Sequence, residues 1–195
     1  LVAPGVSIDA ANGLTGGYVN MSGTSMASPH VAGAAAILAQ RFPGFKGTSL
    51  KAALMSTAVL PSGYRAYYVG TGRVDVNRAR LQRVYTTSPN VSANYLTTRA
   101  SVIKKTVTYH NFNSVPVTYN LSDSATNNAG TAAPSGLFKA DKTQLTIPAN
   151  GKASVTLTIS GAGVSRGFYS GWLTAKTSNG NWFVRSVIQA YAADR

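Results

Sequence analysis

The 195 residues hold 18 Lys and Arg against five acidic residues, with two His and no Cys, for a formal charge of +13. All five acids are Asp, so disulfide scaffolds, thiolate metal sites, Cys nucleophiles and paired-Glu or di-metal carboxylate chemistry are excluded. A hydrophobic fraction of 44% against 12% charged residues describes a globular chain of one or two domains.

The positive charge is spread along the chain. Residues 1–83 carry eight basic and two acidic residues (+6), and residues 84–195 carry ten and three (+7). The densest cluster is the pair Lys104-Lys105, which is no basic stripe, so no nucleic-acid partner is expected. The longest apolar run, Val31 to Ala39, is about half the length of a membrane helix, and no membrane span is expected. No signal peptide pattern is visible, and Leu1-Val2-Ala3-Pro4-Gly5 lacks an initiator Met.

In chain order, the first predicted helix runs from Met26 to Gln40, with Val31, Ala34, Ala35 and Leu38 on one stripe and Ile37 widening it. Pro43 and Gly44 stop it. Pro29 fixes its start near Ser25, because proline is tolerated only close to a helix N-terminus. A second helix is expected from a cap at Thr48 or Ser49 through Leu50, Ala53 and Leu54 to about Ala58. Gly70-Thr71-Gly72 reads as a turn, and Val74 to Leu81 as a short strand followed by a helix.

Beyond residue 83 the texture changes to period-two alternation, the pattern of half-buried strands. Ala153, Val155, Leu157 and Ile159 share one face; so do Val115, Val117, Tyr119 and Leu121, and so do Trp182, Val184, Ile188 and Ala190. Further strands are expected at 102–110, 143–147 and 168–176. About seven short strands between Gly, Asn, Ser and Pro turns indicate a β-sandwich of immunoglobulin or fibronectin type III kind over 84–195.

Residues 22–33 hold the chemistry. Ser25 lies at the start of the first helix, at the positive end of its dipole, among backbone N–H groups that have no helical acceptor. Such donors can hold an oxyanion. Gly23 admits a substrate carbonyl close to the backbone, and Thr24 can cap the helix or add a donor. The same residues also describe an ordinary Ser/Thr cap ahead of an apolar helix.

The run Gly23-Thr24-Ser25-Met26-Ala27-Ser28-Pro29-His30-Val31-Ala32-Gly33 resembles the nucleophile motif of the subtilisin-like serine proteases, or subtilases. Val2-Ala3-Pro4-Gly5-Val6 is similar to the family's segment before the nucleophile, Leu50 to Ala58 to its following helix, and Gly70 to Val76 to its closing strand. Residues 84–195 resemble the fibronectin type III-like domain appended to larger secreted subtilases, through Leu145 to Ile159 and Tyr169 to Leu173. The resemblance implies the C-terminal part of an α/β catalytic domain (1–83) followed by an all-β fibronectin type III-like sandwich (84–195). It implies a secreted serine endopeptidase acting on protein or peptide substrates, with Ser25 as acylating nucleophile and backbone oxyanion donor, Thr24 as support and Gly23 in substrate binding. The Ser-His-Asp mechanism comes with the family, whose type member subtilisin already uses it, and not from these residues.

Both partners of the serine are missing from that pattern. In subtilases the Asp and His lie far upstream in settings that do not occur here. His30 follows Ser25 by five residues, about 140° around and roughly 7.5 Å along a helix, and reads as a packed structural histidine. His110 falls in a predicted strand as a solvated or core-edge residue, and Asp123-Ser124-Ala125 lies on the wrong side of the serine. The family's oxyanion Asn is not identifiable. The chain is therefore expected to be the C-terminal portion of a larger protease, lacking the N-terminal part of the catalytic domain and inactive alone. The alternative is a non-catalytic remnant or accessory module that binds a surface polymer or braces another domain. No cofactor is expected within this chain; calcium, common in the family, has no carboxylate cluster here to hold it. Trp172, Trp182, Phe183 and Tyr191 could form a sugar-stacking platform, but the alternation favours core packing. Asn20, Asn90 and Asn120 head Asn-x-Ser sequons, which matter only in a eukaryotic secretory route.

Overall fold

A computed structural model describes residues 1–193. After an extended start, in which Val2 bridges in parallel to Arg73, the chain forms a hairpin of β1 (Ile8–Ala11) and β2 (Tyr18–Met21). This hairpin was not anticipated. Its loop turns through Gly16 and Gly17 at φ +72° and +75°, a backbone region that glycine enters without a Cβ penalty. Asn12 Oδ1 accepts from the Leu14 and Thr15 amides.

Helix α1 (Thr24–Arg41) starts within two residues of the predicted position, with Pro29 in its second turn. Gly23 is its N-cap and no side chain caps it, so Thr24 is the first helical residue and does not take the capping role considered for it. Helix α2 (Gly47–Ser56) begins earlier than expected. The Ser49 and Leu50 amides both donate to the Lys46 carbonyl, which sets the boundary at Lys46 and leaves Thr48 and Ser49 inside the first turn instead of capping it. A single turn, α3 (Ala66–Val69), is followed by Gly70 and by Gly72 at φ +120°, where a Cβ would sit 2.5 Å from the Val59 carbonyl oxygen. The expected strand at Val74 is reduced to isolated bridges from Arg73 to Val2 and Val59, and α4 (Val76–Leu81) follows. Asp75 caps α4, accepting from the Arg78 amide at 2.8 Å.

The rest is a two-sheet β-sandwich. Its strands are β3 (Val84–Thr86), β4 (Asn90–Leu96), β5 (Val102–Asn111), β6 (Val117–Asn127), β7 (Phe138–Ala140), β8 (Gln144–Ile147), β9 (Lys152–Ser160), β10 (Gly167–Lys176) and β11 (Phe183–Ala192). One sheet has the order β4-β11-β10-β6-β8 and the other β3-β5-β9-β7. Every pairing is antiparallel except β4 with β11. Val155, Leu157 and Ile159 face the core with Val107, Tyr109, Leu173, Val184 and Ile188, as their alternation predicts.

Two residues assigned to inward faces lie outside. Val115 is 59% exposed, because Pro116, which has no amide to give the ladder, precedes the first pair of β6, Val117 with Ile147. Trp182 is 38% exposed in the turn before β11, where its amide donates to Thr177 Oγ1 and its carbonyl accepts from the Thr177 amide.

The outer face of the five-stranded sheet supports the helical part. Trp172 Nε1 donates to the Gly70 carbonyl at 2.7 Å, and Arg185 Nη1 donates to the Ala58 carbonyl at 3.0 Å. Trp172 is therefore a junction residue and not a member of the sandwich core. At the other edge, Tyr85 of β3 inserts among Phe42, Phe45 and Phe112, with ring centroids 5.7 to 6.1 Å away. It donates to the carbonyls of Ala79 and Gln82, and its burial raises the phenol well above the usual tyrosine range. Ala34 and Leu38 of α1 join Ala53, Leu54, Val74 and Ala79 in this second core.

Candidate functional site

Close packing of small residues builds the entry to α1. A Cβ on Gly5 would lie 2.7 Å from the Gly23 carbonyl oxygen and 3.1 Å from Ala27 Cβ, so the strand before the hairpin can touch the helix start only as glycine. The Gly23 amide donates to the Gly5 carbonyl at 2.7 Å, and the Ser7 amide to Ser22 Oγ at 2.9 Å. Gly23, at φ +156°, then turns the chain into the helix.

Ser25 is the second residue of α1 and is exposed. The Met26 and Ala27 amides both donate to the Gly23 carbonyl, at 3.1 and 3.3 Å. The Thr24 and Ser25 amides precede any residue that could find an acceptor inside the helix. Among the described residues no backbone carbonyl takes them. With no acidic residue in the first turn, the positive end of the helix dipole is uncompensated there. A groove of about 300 Å³ lies in front, walled by Ile8 and Ala10 of β1 and by Ser25, Met26, Pro29 and His30 of α1. Two free N–H groups, an exposed hydroxyl and an open groove can accept a carbonyl oxygen on which negative charge develops. Of the three, Ser25 lines the groove, and Gly23 and Thr24 precede it in the chain without lining it.

Of the other candidates, His30 shares the groove with Ser25, and His110 and Asp123 do not line it. His30 is exposed and not packed; its Nδ1 lies 2.9 Å from the Met26 carbonyl of its own helix, and it makes no hydrogen bond with Ser25 among the described residues. His110 sits on β5 against Phe112, ring centroids 4.0 Å apart. Partial burial, reinforced by Lys152, holds its imidazole below the usual value. Asp123 lies on β6, in the opposite sheet, where desolvation pushes its carboxyl up. The Ile8 and Ala10 wall of the groove was missed, although Asn12-Gly13 and Gly16-Gly17 between two short alternating runs are a hairpin signal. Among the described residues no three His, Cys, Asp or Glu side chains gather. No described helix is long and apolar enough to cross a membrane.

A second cationic arrangement was also missed. Arg78 and Arg185 flank the Phe183 ring, with guanidinium carbons 3.9 and 4.4 Å from its centroid. Arg185 is only 8% exposed, and its Nε has no hydrogen-bond partner among the described residues. Its one signal in the sequence is a lone arginine in the apolar run Phe183–Ala192.

Comparison with known proteins fits the N-terminal part. The model of the subtilase family (Peptidase_S8) matches residues 1–95. Subtilisin-like protease SBT1.9 of Arabidopsis thaliana is 36% identical over 95 residues, 48% of this chain and 13% of that protein. Subtilisin E of Bacillus subtilis (strain 168) is 41% identical over 80 residues, 40% of this chain and 20% of that protein. The chain thus spans a fifth or less of the length of these two curated relatives. The crystal structure of tripeptidyl peptidase 2 matches the fold over 89% of this chain and 16% of that one, at a TM-score of 0.52 and 17% identity. Residues 1–95 are thus a segment of the subtilase family.

Proposed function

We propose that the chain is the C-terminal portion of a secreted subtilisin-like serine endopeptidase, in which Ser25 attacks the scissile carbonyl and forms the acyl-enzyme. The observation that carries this reading is the placement of the Ser25 hydroxyl beside the free Thr24 and Ser25 amides at the edge of an open groove. The Ser25 N–H is one oxyanion donor, Thr24 supports it, and Gly23 lets the substrate backbone approach. A His must take the Ser25 proton and return it to the leaving amine, and an Asp must orient that His; both belong to sequence upstream of Leu1. Residues 1–83 form the end of the catalytic domain. Residues 84–195 form a fibronectin type III-like accessory domain, a division supported by β3, which starts at Val84 and already pairs with β5. Calcium, where the whole enzyme holds it, is bound by residues outside this chain.

Ser25→Ala in the longer protein should lower peptide hydrolysis by at least about 1,000-fold while leaving the fold intact; unchanged turnover would overturn the assignment. The 195-residue chain alone should cleave no peptide, and hydrolysis that disappears on Ser25→Ala would refute that inactivity. The pairing of His30 with the Met26 carbonyl, and the position of His110 and Asp123 away from the groove, also suit a second reading, a non-catalytic remnant. Genomic sequence just upstream of the Leu1 codon separates the two. The family's Asp and His settings there support the protease, and a start codon in their place supports the remnant.

A further inference from the structure

Two depressions lie where the helical part meets the sandwich, and they share a wall. The first, about 440 Å³, is lined in part by Thr48, Lys51, Met55 and Asn90. The second, about 360 Å³, has Met55 and Asn90 again, now with Tyr67, Phe168 and Gln189. The shared residues join them into one groove that no Asp lines. A row of rings extends from it. Tyr68 and Tyr67 lie 5.1 Å apart, Tyr67 and Phe168 5.6 Å, and Tyr191 and Tyr95 5.5 Å. Phe168 is the register partner of Tyr191, and Tyr191 of Tyr95, so the row crosses three neighbouring strands at the sheet spacing of about 5 Å. Tyr67, Tyr68 and Tyr95 remain 54%, 61% and 65% exposed. None of these residues lines the groove at Ser25.

Large exposed aromatic rings in sequence along a surface mark a binding site more often than chance exposure does. Here the rings are flanked by the Asn90 and Gln189 amides and the Thr48 hydroxyl, which suit the alternating C–H faces and hydroxyls of a sugar chain. Lys51, the acid-free lining and the net charge of +13 add attraction for carboxylates. We propose that this groove and its aromatic row bind an acidic polysaccharide, a chain of uronic acid residues, with Tyr67 and Phe168 stacking on sugar faces and Lys51 pairing with a carboxylate. A proline-rich peptide would use the rings but leave Lys51 and the two amides without a role.

The 195-residue chain is titrated calorimetrically with an alginate hexasaccharide and with neutral maltohexaose, at 50 and 300 mM salt. The alginate should bind more tightly than maltohexaose. Tyr67→Ala and Tyr68→Ala should each weaken it at least fivefold at both salt concentrations. Lys51→Ala should weaken it mainly at 50 mM and flatten the salt dependence. Lys139→Ala, on β7 of the other sheet, should bind as the parent does, and circular dichroism confirms that each variant is folded. Three results overturn the proposal: no alginate binding, equal losses in the Tyr67 and Lys139 variants, or a proline-rich peptide that alone binds through Tyr67. Ser25→Ala should leave alginate binding unchanged, so failure here and failure of the peptidase reading are separate outcomes.

Discussion

Replacing Arg185 with Met is expected to stabilise the protein, although it removes a hydrogen bond and a stacked cation. Burial, with repulsion from Arg78, lowers the Arg185 guanidinium from the ordinary 12.5 to about 10, which corresponds to a cost of about 3 kcal/mol for keeping it charged in the fold. Against this stand the bond to the Ala58 carbonyl, worth about 1.5 kcal/mol, and the contact with the Phe183 ring, worth about 0.5–1 kcal/mol. Met fills most of the volume, so the net change is a gain of about 1 kcal/mol, as found when buried charges give way to apolar side chains of similar size. At this chain length that is a rise in Tm of about 2–4 °C. Both variants leave the Ala58 carbonyl without its donor, and Arg185→Ala is the contrast because its cavity should make it less stable than the Met variant by about 2–3 kcal/mol. Urea unfolding followed by tryptophan fluorescence reads both, because Trp172 and Trp182 lie on the strands and turn around Arg185. A Met variant destabilised by 2 kcal/mol or more would show that the charge contributes net attraction, and the reasoning would fail.

A Cβ at Gly171, on β10, would fall 1.8 Å from the Ser124 carbonyl oxygen and 2.5 Å from Ala125 Cα. Gly171→Ala should therefore force β6 and β10 apart and cost about 3 kcal/mol, and a parental urea midpoint would refute this. His110 should titrate below 6.5 by NMR, and Lys152→Met should raise its midpoint; a parental midpoint at or above 6.5 contradicts the burial account. Since the folded imidazole resists protonation, its contribution to stability is complete above pH 6.5 and falls as pH drops through and below that value.

Strands whose inward residues alternate over nine or ten positions were legible, as β5, β9 and β10 show, because period-two burial writes itself into the sequence. The three sandwich strands not anticipated, β3, β4 and β7, carry other signals. Val84-Tyr85-Thr86 is buried throughout, since Tyr85 turns away from the sandwich into the Phe42 cluster, and so it shows no alternation. β4 is interrupted at Asn94, whose φ is +57°, and β7 has only three residues. At the site, Pro29 located the start of α1 because its missing amide is a backbone constraint independent of partners. The state of His30 depended on what covers that face of α1, which neighbouring residues in the sequence do not encode. Arg185 was not legible for the same reason. An arginine on β11 reads as a solvent-facing residue until α2 and the Ala58 carbonyl are placed over it.

The hydrogen bond from Arg185 to Ala58 spans 127 residues, and β11 is also the strand to which β4 must pair. During synthesis at about 5–20 residues per second, the ribosome needs roughly 6–25 s after emitting Ala58 to deliver the arginine that anchors it. Through that interval the end of α2 lacks its bond to the sheet, and the Gly70 turn gains its own only when Trp172 is made. The end of α2 is thus translated well before the strand that anchors it, which makes the nascent chain before β11 the state most in need of protection from aggregation and from proteases.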